Sequence, residues 1–110
     1  LDPFLGTGTT TISAITTGRN SVGYEIDSAF KDTIYNNINS CIFSCNSFID
    51  LRIKNHVEFV KKREAEKGKL GYENMNHNFP VMTNQEKNLL ILKIRQVREN
   101  NDYFTAEYSV

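Results

Sequence analysis

The chain has 110 residues, and thirteen Lys and Arg balance thirteen Asp and Glu, so its formal net charge is zero. This balance argues against a histone-like nucleic-acid binder, whose affinity depends on a large excess of cationic side chains. Hydrophobic residues make up 39% of the sequence and the longest apolar run covers only residues 89–92, which predicts one domain with a core but no membrane span.

A strand, a glycine turn and a helix are predicted in this order at the start of the chain. Residues 1–4 have the character of a strand end and run into a turn at residues 6–8. Residues 9–17 follow with isoleucines at helical spacing. Gly18 predicts the end of this helix, because glycine readily adopts the left-handed conformation found just past helix ends.

A second strand and a second helix follow. Residues 21–26 alternate in the way that is typical of a short strand. Asp27 is predicted to cap the next helix rather than to bind a ligand, and this helix carries Phe30, Ile34 and Ile38 on one face. The order of elements predicts a βαβ unit with a following helix, which is the building block of a parallel sheet.

The second half of the chain is more charged, and its predicted elements are mainly helices. Apolar residues at intervals of three and four predict an amphipathic helix over residues 46–67. A capping box formed by Thr83 and Glu86 predicts that a second helix begins there and covers residues 84–99. The alternating residues 103–110 predict a closing strand.

The cysteines and asparagines carry little chemical information. Cys41 and Cys45 lie one helical turn apart, which is unfavourable for a disulfide bond. A metal site would need more ligands, and the two histidines lie at no useful spacing from the thiols. We therefore predict two small buried side chains and no metal site, and we interpret the asparagines clustered at residues 74–78 as composition bias.

The glycine turn is the most informative segment for chemistry. Gly6 and Gly8 allow the backbone to approach a ligand closely, and free N–H groups at the following helix start favour anionic groups. Glu25 ends the next strand, where an acid in nucleotide-type sites accepts hydrogen bonds from ribose hydroxyls. A dinucleotide site would need glycine in place of Thr11, and no P-loop Gly-Lys-Ser/Thr occurs. A purely structural turn and a site for an adenosine without a pyrophosphate both remain open.

Two separated blocks also agree in residue type and spacing with a known family. They are Asp2-Pro3-Phe4-x-Gly6-x-Gly8-Thr9-Thr10 and, after Gly18-Arg19, Gly23-Tyr24-Glu25-Ile26-Asp27. This region, about residues 1–38, resembles the cofactor-binding region of the amino-type DNA methyltransferases. More narrowly, it resembles the circularly permuted group in which this region lies towards the C-terminus.

The resemblance implies a partial Rossmann-like α/β fold, that of the S-adenosylmethionine-dependent methyltransferases. Residues 1–40 would be its cofactor-binding βαβα part, and residues 41–110 a helical extension of the same domain that ends in a short strand. The cofactor would be S-adenosylmethionine as methyl donor, with no metal. The implied cofactor-binding residues are Asp2, Phe4, Gly6, Gly8, Thr9, Thr10 and Glu25.

The resemblance also implies a role for each of these residues. Asp2 would accept a charge-assisted hydrogen bond from the methionine ammonium, and Phe4 would form a wall of the pocket. The two glycines would let the backbone approach the cofactor, Thr9 and Thr10 would meet its carboxylate, and Glu25 would hold the ribose. The alternatives are a core position for Phe4 and a purely helix-capping role for Thr9.

The catalytic motif of the family is absent from the sequence. Methyl transfer in this family depends on an Asp/Asn/Ser-Pro-Pro-aromatic motif that accepts hydrogen bonds from the amino group of the flipped base. The chain contains only Pro3 and Pro80, and the superficially similar residues 78–81 lack the second proline. We therefore assign no catalytic residue and expect the chain to be the C-terminal part of a longer enzyme.

The resemblance implies a site-specific methyltransferase that modifies N4 of cytosine or N6 of adenine in double-stranded DNA. Its setting would be a restriction–modification system in a prokaryotic cytoplasm, with the missing N-terminal half as catalytic partner. One alternative is a non-catalytic remnant or subunit whose amphipathic helices bind a partner protein. Another is a methyltransferase that acts on RNA or protein. The basic residues of the second half favour a solvated helix face over a contact with DNA phosphates.

Overall fold

The computed structural model describes all residues 1–110, and the chain divides into two compact units. The first unit comprises Leu1–Ser47 and Leu92–Val110, and the second comprises Phe48–Ile91. The helices are α1 (Thr9–Thr16), α2 (Lys31–Ser40) and α3 (Ile42–Lys67), and the strands are β1 (Tyr72–Glu73), β2 (Pro80–Val81), β3 (Lys93–Asn100) and β4 (Tyr103–Ser109).

The two segments predicted as the first strands run side by side in the first unit. Asp2 and Gly23 form an isolated parallel bridge. The Asp2 N–H donates to the Val22 carbonyl, the Tyr24 N–H donates to the Asp2 carbonyl, and the Leu5 N–H donates to the Tyr24 carbonyl. Each of these hydrogen bonds is 2.9 Å long. The pairing is parallel, as predicted, but it extends over a single bridge. The two sheets of the structure are antiparallel pairs, β1–β2 and β3–β4, so the Rossmann-like fold stays a prediction.

The core of the first unit lies between its helices and the β3–β4 hairpin. Ile15 of α1 packs with Ile34 and Ile38 of α2 and with Ile94 of β3, and all four side chains are buried. The isoleucines of α1 and α2 are therefore on the inward face that their helical spacing predicts.

The two cysteines belong to this core. Cys41 and Cys45 are both buried and both free thiols. Burial and the neighbouring Cys45 raise the pKa of the Cys41 thiol to about 11, so this thiol is protonated near neutral pH and is a poor nucleophile. The prediction of small buried side chains is confirmed.

The end of the chain forms an antiparallel hairpin of β3 and β4. Its turn passes through Asn101, which has a φ of 42° and is one of the residue types that tolerate the left-handed region. Arg98 and Glu107 form an ion pair across the two strands at 2.9 Å. The predicted closing strand is confirmed.

The prediction of a helix over residues 84–99 is wrong. The structure has a short 3₁₀ turn at Asn84–Asn88 and then strand β3. A register shift between Ile94 and Gln96 inserts an extra residue into β3. This bulge lets Ile94 and Val97 both contact the core although they are three residues apart, so a strand here imitates the spacing of a helix.

The second unit is built on the long helix α3. The predicted amphipathic helix is confirmed, but it begins four residues earlier than expected, at Ile42. The buried apolar residues of the second unit are Ile49 and Val60 of α3 and Val81 of β2. Although α3 has 26 residues, neither it nor any other helix is long and apolar enough to cross a membrane.

The predicted capping box is present at the start of the 3₁₀ turn. Glu86 accepts hydrogen bonds from the Thr83 N–H and hydroxyl, at 2.8 and 2.9 Å. These bonds, led by that of the hydroxyl, lower the pKa of the Glu86 carboxyl. The motif therefore marks a real turn start, although no α-helix follows it.

Asn74 is the buried polar centre of the second unit, with 1% of its surface exposed. Its Oδ1 accepts from the N–H groups of Asn76 and His77, both at 2.9 Å. Its Nδ2 donates to the carbonyls of Glu86 and Leu89, both at 2.8 Å. The interpretation of this asparagine cluster as composition bias is therefore wrong for Asn74.

Candidate functional site

The carboxylate of Asp2 is held at the N-terminal end of α1. It accepts a hydrogen bond from the Thr10 hydroxyl at 2.6 Å and one from the Phe4 N–H at 2.9 Å. The hydrogen bond from Thr10 has the larger effect, and together the two bonds lower the pKa of the Asp2 carboxyl. Asp2, Phe4 and Thr10 are thus brought together, with an ionised carboxylate at their centre near neutral pH.

The glycine turn leads directly into α1. Gly6 and Gly8 have φ values of 57° and 92°. Only glycine adopts the φ value of Gly8 without strain. Gly8 is the N-cap residue of α1, and no side chain caps this helix end. Thr9 is the first helical residue and lies exposed at the surface, so the alternative that it caps the helix is wrong.

The carboxylate of Glu25 joins the two sequence blocks. One oxygen accepts from the Gly6 N–H in the turn at 2.8 Å, and the other accepts from the Asp27 N–H at 2.9 Å. The Asp27 side chain accepts from the Ala29 N–H at 2.9 Å and caps the 3₁₀ turn that precedes α2. The prediction that Asp27 is a helix cap is therefore confirmed.

Phe4 lies on the surface beside Asp2 and is 87% exposed. The alternative that it is a core residue is wrong. An exposed aromatic ring next to a carboxylate and a free helix N-terminus is available as a wall for a bound molecule.

A cavity of about 680 Å³ in the first unit extends from Glu25 towards the β3–β4 hairpin. Of the seven residues predicted to bind the cofactor, Glu25 is the one that lines it. Lys31, Tyr35 and Phe104 also line it, and sequence reasoning missed them. They were missed because the helical spacing of residues 30–38 indicates only which face of α2 is buried in the core. No local sequence pattern shows that this helix lies beside a strand more than sixty residues later.

The structure contains no group of three or more His, Cys, Asp or Glu side chains that could hold a metal ion. The two histidines lie in the second unit and make structural contacts. His77 Nε2 accepts from the Ile91 N–H at 2.9 Å, and His56 Nε2 lies 3.0 Å from the Pro80 carbonyl oxygen. The site around the glycine turn therefore consists of carboxylates, hydroxyls and backbone amides.

The left-handed conformation of Gly8 leads to a first prediction. Replacing Gly8 by Ala should lower the free energy of unfolding by about 2 kcal/mol, because the backbone is strained and the new Cβ would lie 3.4 Å from Ile34 Cγ2. Urea unfolding followed by circular dichroism measures the loss. Gly71→Ala is the matched control, since Gly71 has open space around it and no positive φ. Equal losses in both variants would contradict the prediction.

The comparisons with known proteins agree with the two blocks. Residues 1–36 match the sequence profile of a family described as DNA methylase, for N6 and N4 methyltransferases. The chain is 40% identical over 105 residues to the Type II methyltransferase M.MthZI of Methanothermobacter thermautotrophicus, which covers 94% of this chain and 28% of that protein. It is 65% identical over 34 residues to the Type II methyltransferase M.MjaI of Methanocaldococcus jannaschii, covering 31% of this chain and 11% of that protein. No solved structure matches.

The two relatives define how far the family likeness extends. The chain spans less than a third of the length of either protein. The likeness to M.MthZI nevertheless covers both units of the structure, whereas the family profile ends within α2. The match to the family profile and the 40% identity to M.MthZI over both units support an amino-DNA methyltransferase family for this chain.

Proposed function

We propose that the chain supplies the S-adenosylmethionine-binding part of a type II DNA methyltransferase. The observation that carries this proposal is the hydrogen bond from the Gly6 N–H to the Glu25 carboxylate. This bond joins the glycine turn of the first family block to the acidic strand end of the second. Both blocks thus contribute to one polar site at the N-terminal end of α1.

The groups of this site fit the chemistry of S-adenosylmethionine, which carries an ammonium, a carboxylate and two ribose hydroxyls. Each Glu25 oxygen accepts one backbone N–H, so lone pairs remain for the two hydroxyls. Asp2 offers an anionic acceptor for the ammonium. The uncapped N-terminus of α1 offers N–H groups and a positive dipole end for the carboxylate.

In the proposed mechanism this chain binds and orients the methyl donor. When bound, S-adenosylmethionine supplies an electrophilic methyl group on its sulfonium. Glu25 holds the ribose and Asp2 holds the ammonium, while the Thr10 hydroxyl fixes the Asp2 carboxylate. Binding at both ends of the cofactor restricts its orientation, and such restriction lowers the entropic part of the barrier.

The target amine must be held by another segment of the enzyme. No Pro-Pro sequence occurs among the 110 residues, and the chain aligns with only 28% of the relative M.MthZI. We therefore assign the Asp/Asn/Ser-Pro-Pro-aromatic motif to a part of the enzyme outside these residues. The proposed substrate is N4 of cytosine or N6 of adenine in double-stranded DNA, and the proposed setting is a restriction–modification system, which the names of the two type II relatives support.

A subunit that binds a partner protein is the second candidate. One of the two helices on which it depends, residues 84–99, is absent. The other helix, α3, exposes Phe48, Leu51 and Phe59, and exposed apolar side chains of this kind favour a protein contact. This candidate requires no cofactor.

Calorimetric titration of the purified chain with S-adenosylmethionine separates the two candidates. We expect saturable binding at one site, competition by S-adenosylhomocysteine and no binding of NAD, because the third glycine of a dinucleotide turn is replaced by Thr11. With duplex DNA and labelled cofactor we expect no methyl transfer by this chain alone, because the motif that holds the amine is absent. No heat with either adenosyl compound would contradict the cofactor assignment.

A further inference from the structure

We propose that the β3–β4 hairpin positions the cofactor site and that Tyr108 holds the last turn of α1 through a hydrogen bond. The inference rests on the proposed function and adds a positioning residue 93 positions away from the helix that it supports. The Tyr108 hydroxyl donates a hydrogen bond of 2.7 Å to the Ile15 carbonyl, in the last turn of α1. The contact is partly buried, which shields it from competing water.

Helix α1 depends on such support because its own sequence favours a helix weakly. It has only eight residues, Thr-Thr-Thr-Ile-Ser-Ala-Ile-Thr, and isolated helices shorter than about 12 residues are marginal in water. Six of the eight side chains are β-branched, and branching at Cβ lowers helix propensity. Tertiary contacts must therefore keep α1 folded and in place.

The C-terminal end of α1 has both local and tertiary hydrogen bonds. The Gly18 N–H donates to the Ile15 carbonyl at 3.1 Å, and the Arg19 N–H donates to Ala14 at 2.8 Å. These two bonds come from the adjoining turn and move with the helix. Two other bonds join this end to separate elements: the Thr16 hydroxyl donates to Cys45 Sγ of α3 at 2.9 Å, and Tyr108 of the hairpin donates to Ile15. The bond from Tyr108 can therefore fix the helix against the hairpin.

The hairpin is itself held independently of α1. The Asn46 side chain forms two hydrogen bonds with the backbone of Ile94, at 2.8 and 2.9 Å. The Tyr35 hydroxyl donates to the Asn101 carbonyl at 2.8 Å, and its ring meets Phe104 edge to face at 5.1 Å. Contacts with α3 and α2 thus make the hairpin a fixed support for Tyr108.

The other end of α1 carries the proposed cofactor contacts. Eight residues at 1.5 Å each put the two ends about 12 Å apart. Thr10, in the first turn, holds the Asp2 carboxylate. A loosened last turn therefore gives the Thr9 and Thr10 amides and Asp2 more freedom, and this freedom must be lost again when the cofactor binds.

Tyr108→Phe tests the inference, since it removes the hydroxyl and keeps the ring. Tyr72→Phe is the control, because Tyr72 lies in the second unit and does not line the cavity, is 43% exposed, and has a side chain that forms no hydrogen bond. We expect Tyr108→Phe to weaken S-adenosylmethionine binding about fivefold, which corresponds to about 1 kcal/mol for one net hydrogen bond. We expect Tyr72→Phe to bind S-adenosylmethionine as the wild type does.

Hydrogen exchange without cofactor provides a second measurement. The amides of α1 should exchange about fivefold faster in Tyr108→Phe than in Tyr72→Phe, while the amides of β3 keep their protection. If both variants match the wild type in affinity and in α1 exchange, the inference is overturned. If the wild type itself binds no S-adenosylmethionine, the proposed function fails, and the exchange of α1 still decides whether Tyr108 holds this helix.

Discussion

Replacing Glu25 by Ala should weaken the binding of S-adenosylmethionine about 100-fold, which corresponds to about 2.7 kcal/mol. The variant loses an ionised acceptor for two ribose hydroxyls, and hydrogen bonds to charged groups each contribute about 1.5–3 kcal/mol. It also frees the N–H groups of Gly6 and Asp27, which Glu25 holds at 2.8 and 2.9 Å. Calorimetric titration at a temperature where the variant is folded measures the change.

Two further variants separate the roles of charge and position at this site. Glu25→Gln keeps one carbonyl oxygen in place and should lose less affinity than Glu25→Ala. Asp27→Asn removes the same charge two residues away but keeps the cap on the Ala29 N–H, since asparagine caps as well as aspartate. An unchanged affinity in Glu25→Ala, or an equal loss in Asp27→Asn, would contradict the assignment of the ribose to Glu25.

Replacing Asn74 by Ala should lower the free energy of unfolding by about 3 kcal/mol. The side chain satisfies two N–H groups and two carbonyls, all at 2.8–2.9 Å, and only 1% of the residue is exposed. A buried polar group that loses its partner costs about 1–3 kcal/mol. The variant leaves four such backbone groups, and the total loss is expected to be less than four separate costs because water partly reaches this turn. Urea unfolding measures the loss.

Asn88→Ala is the matched control for Asn74→Ala. Asn88 is exposed and its side chain forms no hydrogen bond, so the same chemical change should alter stability by less than about 0.5 kcal/mol. Since Asn74 belongs to the second unit and the cofactor residues to the first, S-adenosylmethionine affinity of the folded Asn74→Ala variant should equal that of the wild type. Similar destabilisation in both variants would show that Asn74 is not a structural centre.

Local signals in the sequence predicted several features correctly because their causes are local. Gly18, the Asp27 cap and the Thr83–Glu86 capping box act over a few residues, and each is found where expected. The amphipathic pattern of α3 was likewise sufficient to predict this helix, since a single helix repeats its apolar residues at one spacing. Such features need no knowledge of what lies elsewhere in the chain.

Longer-range pairing defeated the same reasoning at residues 84–99. Ile94 and Val97 have the spacing of a helix, yet they lie in β3, where a bulge brings both to the core. Strand β4 follows after a two-residue turn and offers β3 a complete antiparallel partner. Pairing with a neighbouring strand, which no single segment reveals, decided this element.

The sequence by itself determined the balanced charge and the apolar content of the chain, and its two blocks indicated the amino-DNA methyltransferases, which the comparisons support. Only the tertiary structure decided that the Glu25 carboxylate holds the Gly6 N–H, that Asn74 is buried, and that Tyr108 meets Ile15 across 93 residues. Spacing along a chain reports periodic, local geometry, whereas burial and hydrogen bonding between distant residues arise only when the elements pack together.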